Sequence, residues 1–144
     1  MTQYIEDVLP PIQSAGLNTQ KAISTTSSSG IGYATGAGGA VTQATNRTTG
    51  VTLNTITGAI TTNNASLAAE AAATFVVTNS TVAIGDTVVV SQRSGSNGGN
   101  TDVYVSAVAA GSFSITVANN NPAAGTAETG AIIINFAVIK AVSA

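Results

Sequence analysis

The sequence predicts an all-β fold, a β-sandwich of jelly-roll type with an extended N-terminal arm. Three observations carry this. Short runs of Val, Ile and Thr alternate apolar and polar positions, the period of a strand with one buried face. Clusters of Gly, Asn, Ser and Pro interrupt them every ~8–12 residues, the spacing of turns in sandwiches and barrels. The apolar 44% of the 144 residues is mostly Ala, Val and Ile, with aromatics at 4% and no Trp. Small β-branched side chains suit two sheets packed face to face.

Residues 1–30 read as an arm plus linker, and residues 31–144 as the folded domain. Tyr4, Ile5, Val8 and Leu9 form a small apolar patch before Pro10 and Pro11. Two prolines in succession stop a helix and force an extended path. The tract Ser24-Thr25-Thr26-Ser27-Ser28-Ser29-Gly30 is flexible and polar in character. A bland tail would need no apolar patch, so Tyr4, Ile5, Val8 and Leu9 are the candidate partner-binding residues.

Eight strands follow in order. Val41-Thr42-Gln43 opens after a glycine-rich bend, and Val51–Asn54 follows Gly50. Ala59–Thr62 follows Gly58. Ala65–Ala73 has helical propensity, but between strands it reads as a connection. Thr74–Thr78 and Thr87–Ser91 are rich in β-branched residues and separated by the turn formers Asn79-Ser80-Thr81 and Ile84-Gly85-Asp86. Val103–Val108 alternates, with Val103, Val105 and Ala107 on one face. Ser112–Val117 sets Phe113, Ile115 and Val117 against three hydroxyls. Ile132–Ile139 has no clear period at its start and reads as a strand partly buried on both faces. Val103, Phe113, Ile115, Ile133, Phe136 and Val138 are the expected core.

Charge bounds the function. Only 7% of residues are charged, against about 25% in an average soluble domain. So little charge favours association, and charge is depleted at the centres of protein interfaces. Lys21, Arg47, Arg93 and Lys140 are isolated, so no basic stripe exists to neutralise phosphates, and no nucleic-acid partner is expected. The apolar run Ala131–Val142 is shorter than the ~20 residues that cross a bilayer, so no membrane partner is expected. Nor does Met1 open the charged and apolar pattern of a signal peptide.

The chain has no His and no Cys, which removes the Ser-His-Asp triad, the Cys-His pair and the usual zinc ligands. The carboxylates Glu6, Asp7, Glu70, Asp86, Asp102 and Glu128 fall in the arm or near turns, with no pairing that would mark a glycosidase. A calcium site between Asp86 and Asp102 lacks the Asp-x-Asp-x-Asp spacing. The glycines of Gly30–Gly39 lack the Lys-Ser/Thr ending of a phosphate loop and read as a bend. No catalytic residue, metal or cofactor is expected.

Gly32-Tyr33-Ala34-Thr35-Gly36-Ala37-Gly38-Gly39-Ala40-Val41-Thr42-Gln43 resembles a stretch of small structural proteins of tailed bacteriophages. Thr49–Asn54, Thr57–Thr61, Ala110–Ile115 and Asn135–Ala141 share the resemblance, which spans roughly residues 31–144. It implies a capsid decoration (cement) protein on the outer surface of the virion. Its partners would then be the major capsid protein and its own copies, as a homotrimer. The alternative is a tail fibre or spike module binding host glycan through Ser94–Asn100, Asn119–Pro122, Tyr33 and Tyr104.

Overall fold

A computed structural model describes residues 31–95 and 100–141. Residues from Tyr33 onward form one compact unit. The unit is all-β: the described residues contain eight strands and no helix. These are β1 (Gly38–Thr42), β2 (Val51–Thr52), β3 (Thr57–Thr61), β4 (Ala72–Thr78), β5 (Thr87–Ser94), β6 (Thr101–Ala109), β7 (Ser112–Asn119) and β8 (Ile133–Ile139). Each overlaps a run expected from the sequence, with shifted bounds at β1, β2 and β3. Ala65–Ala73 is a connection that runs into β4, despite its helical propensity.

Two four-stranded sheets result, ordered β1-β3-β8-β5 and β2-β4-β7-β6. Both are mixed. β1 runs parallel to β3 and β2 parallel to β4, while the remaining pairs are antiparallel. Greek-key units pair antiparallel, so the two parallel pairs depart from that pattern.

Inward side chains of both sheets meet in one cluster that includes Ile60, Phe75, Val77, Phe113, Ile115, Ile134, Phe136 and Val138. Phe113 of β7 and Phe136 of β8 tilt against each other with ring centres 5.3 Å apart. Burying each such side chain stabilises the fold by roughly 1.5–3 kcal/mol. Leu53 packs over the flank of this core, above two glycines paired in register. A Cβ on Gly39 would come within 2.8 Å of Leu53, and one on Gly58 within 2.9 Å of the Phe136 ring. Both positions need glycine for close approach.

Two expectations about the core change. Ile133 is only partly buried and points outward, because β8 alternates throughout and its inward positions are Ile134, Phe136 and Val138. Three isoleucines in a row hide that period. On β6 a bulge between Val105 and Ala107 shifts the phase, so Val108 rather than Ala107 joins Val103 and Val105 against the core.

Candidate functional site

Strand alternation fixes what each sheet presents outward. On the β2-β4-β7-β6 sheet the rows across the strands are Ala72-Ala118-Asp102, Thr74-Thr116-Tyr104 and Val76-Ser114-Ala107. Thr74 and Thr116 join their hydroxyls at 2.7 Å. On the other sheet the outward rows include Val89-Ala137-Thr57-Gly38 and Ser91-Asn135-Ala59-Ala40. The charged positions are one per sheet, Asp102 on β6 and Arg93 on β5. Val76, Val89, Tyr104 and Ile139 are each about half exposed. Each sheet thus presents a nearly uncharged outward face rich in small residues.

The ends of the sheets are polar but self-satisfied. At one end Arg47 is only 4% exposed. Its guanidinium donates to the carbonyls of Ala65, Gly130 (2.7 Å) and Glu128 (3.3 Å). Burial lowers its pKa below the ordinary arginine value, and the charge of Glu128 opposes that shift. Glu128 accepts from the Thr101 hydroxyl and the Gly130 N–H. Asn119, equally buried, donates to the carbonyls of Leu67 and Thr126 and accepts from the Asn121 N–H. The connections 43–49, 62–71 and 119–132 are thereby tied together.

At the other end Asp86 closes its turn by accepting from the Ala83 N–H, and pairs with Lys140 beyond β8. The Ala83 N–H first, then Lys140, hold its carboxyl below the usual aspartate range. Buried Asn79 accepts from the Thr81 N–H and hydroxyl and donates to the Thr55 carbonyl at 2.7 Å.

The carboxylates are therefore dispersed. Asp86 serves Lys140, whereas Asp102 accepts from the Asn120 amide on another element. Among the described residues no cleft opens and no group of three metal-ligating side chains forms. No described helix is long and apolar enough to cross a membrane. Tyr33 and Tyr104 lie at different sheets: Tyr33 precedes β1 and its hydroxyl donates to the Val138 carbonyl on β8, while Tyr104 projects from β6. Tyr4, Ile5, Val8 and Leu9 lie outside the described residues, as does part of the Ser94–Asn100 loop. Sequence reasoning missed Arg47, which no neighbouring pattern distinguishes from a surface charge.

No protein-family model, curated protein or solved structure matches the chain.

Proposed function

We propose that the chain is a non-enzymatic structural subunit of a tailed-phage virion, a capsid decoration protein on the outer shell. In this reading it stabilises the head by bridging capsomers of the major capsid protein, as a homotrimer. Tyr4, Ile5, Val8 and Leu9 of the arm tie neighbouring subunits together. The two sheets act as a β-sandwich. It shares with a jelly roll the count of four strands per sheet and departs from it in the two parallel pairs.

The observation that carries the proposal is the pair of outward sheet faces with one charged position each. Desolvating such a face costs little, because few charges must leave water. Repetition over a shell lets a modest interface per subunit accumulate into a large stabilisation. The resemblance at residues 32–43 and 110–115 supplies the viral setting.

Purified chain added to heads assembled from the major capsid protein is expected to co-sediment with them at a fixed stoichiometry. Removing residues 1–30 is expected to weaken that binding. Failure of the intact chain to bind would overturn the decoration role. Tyr104, half exposed two residues from Asp102, favours a second reading in which a tail module binds glycan. Binding to host-surface polysaccharide that Tyr104→Ala abolishes would establish it instead.

A further inference from the structure

Four strands form the edges of the two sheets: β1 and β5 of one, β2 and β6 of the other. Three of these edges are blunted. β2 is two residues long. β5 is bulged between Gln92 and Ser94, with Arg93 in the bulge, and β6 is bulged between Val105 and Ala107 and carries Asp102. Short strands, bulges and charges are the devices that keep a sheet edge from pairing with another chain. β1 has none of them. Gly38-Gly39-Ala40-Val41-Thr42 is in unbroken register with β3, without charge or proline, and is exposed at every position but the half-buried Val41.

The direction of its backbone groups follows from one hydrogen bond. Gln43 N–H donates to the Thr61 carbonyl at 2.9 Å, continuing the parallel ladder. In such a ladder alternate residues turn both backbone groups to the same neighbour. Gly39 and Val41 therefore face β3, while Gly38, Ala40 and Thr42 turn N–H and C=O away from it. Among the described residues no hydrogen bond engages those outward groups.

We infer that β1 is a self-pairing edge. Two copies join antiparallel through β1 about a two-fold axis at Ala40 and fuse their β1-β3-β8-β5 sheets into one eight-stranded sheet. Self-complementarity selects a second copy as the occupant. In this register Ala40 faces Ala40 of the other copy, Gly38 faces Thr42, and Gly39 faces Val41. Gly38 meets the β-branched Thr42, and Gly39, whose side-chain space Leu53 already fills, meets Val41. Gly38, Ala40 and Thr42, the residues with outward groups, fall at the hydrogen-bonded pairs.

Charge points the same way. A two-fold contact sets a surface against its own copy. Pairing through β5 or β6 would bring Arg93 or Asp102 toward its own kind, whereas β1 is neutral. A five-residue edge buries less than the ~1,200 Å² of a standard stable interface, so the dimer is a micromolar one. The inference does not rest on the capsid reading: the homotrimer of that reading would assemble on the shell through other surfaces, whereas the free chain pairs through β1.

The test uses the full chain. Sedimentation between about 1 and 200 µM is expected to show monomer passing to dimer, the range of a weak interface. The chain lacks cysteine, so Ala40→Cys introduces a single thiol. Hydrogen-bonded antiparallel pairs hold their Cα atoms ~5.5 Å apart, within disulfide reach. Ala40→Cys should therefore oxidise rapidly to a covalent dimer, while Ser91→Cys on the outer face of the same sheet should not. Ala40→Pro removes an outward donor and no bond to β3, a substitution edges tolerate. It should weaken dimerisation at least ~tenfold, about 1.4 kcal/mol, with unchanged circular dichroism. The inference is overturned by a monomer at the highest concentration. It is equally overturned by Ala40→Cys crosslinking no faster than Ser91→Cys, or by a dimer that Ala40→Pro leaves intact.

Discussion

The two ends of the β-domain are held by different chemistry. At the end beyond β1 and β3, a buried arginine reaches the carbonyls of three residues on two connections. At the end before β5 and beyond β8, a lysine that is 56% exposed meets the Asp86 carboxylate, and short turns supply the rest. The difference follows chain length. Connections 62–71 and 120–132 are the longest between described strands, and their backbone groups need a multivalent donor once water is excluded. The opposite end combines a tight turn, Ala110-Gly111 with Gly111 at φ +77°, with side-chain bonds from Asn79 to the Thr55 carbonyl and from Lys140 to Asp86. The buried arginine should be costly to remove, and the pair of buried Asp86 with exposed Lys140 should be pH-dependent.

The largest effect is expected at the buried pin. Arg47→Ala strips donors from the carbonyls of Ala65, Glu128 and Gly130 and takes a positive charge from beside Glu128. A loss of about 3 kcal/mol is expected in urea unfolding. A loss below ~0.5 kcal/mol, the surface range, would remove the contrast between the ends. Asn79→Ala comes next, at about 2 kcal/mol, because it orphans the Thr81 N–H and leaves the Thr55 carbonyl only the longer bond from the Thr81 hydroxyl.

Asp86→Asn tests the Asp86–Lys140 pair through pH. The folded carboxyl titrates below its unfolded value near ~3.9, so its contribution is present above that pH. It is lost as pH falls through the folded value. The melting temperature of Asp86→Asn should lie below that of the parent at pH 7, and the gap should close on acidification. A gap independent of pH would assign the turn to shape alone.

The smallest effect is a gain. Glu70 holds φ at +59°, a left-handed conformation that asparagine adopts more readily. Glu70→Asn should stabilise the long-connection end by a few tenths of a kcal/mol, read as a higher urea midpoint.

Strand positions were legible because each run carries its own period. Ser112–Val117 places Phe113, Ile115 and Val117 inward on alternation alone, as found. Pairing direction was not legible: nothing within Gly38–Thr42 or Val51–Thr52 says that either lies parallel to its neighbour. The β6 bulge was hidden for a related reason, since Val105-Ser106-Ala107-Val108 fits either phase until register with β7 decides it. Arg47 was hidden because its acceptors are backbone carbonyls up to 83 residues away. The turn role of Asp86 and the bend before β1, with Gly36 at φ +91°, follow from local chemistry and were readable.

We propose that the nearly uncharged sheet faces serve as contact surfaces on a phage shell. Imaging the purified particle that carries this chain tests it most directly. Density for the eight-stranded domain between capsomers of the head, sheet faces against its neighbours, is the expected result. Density on the tail alone would contradict it.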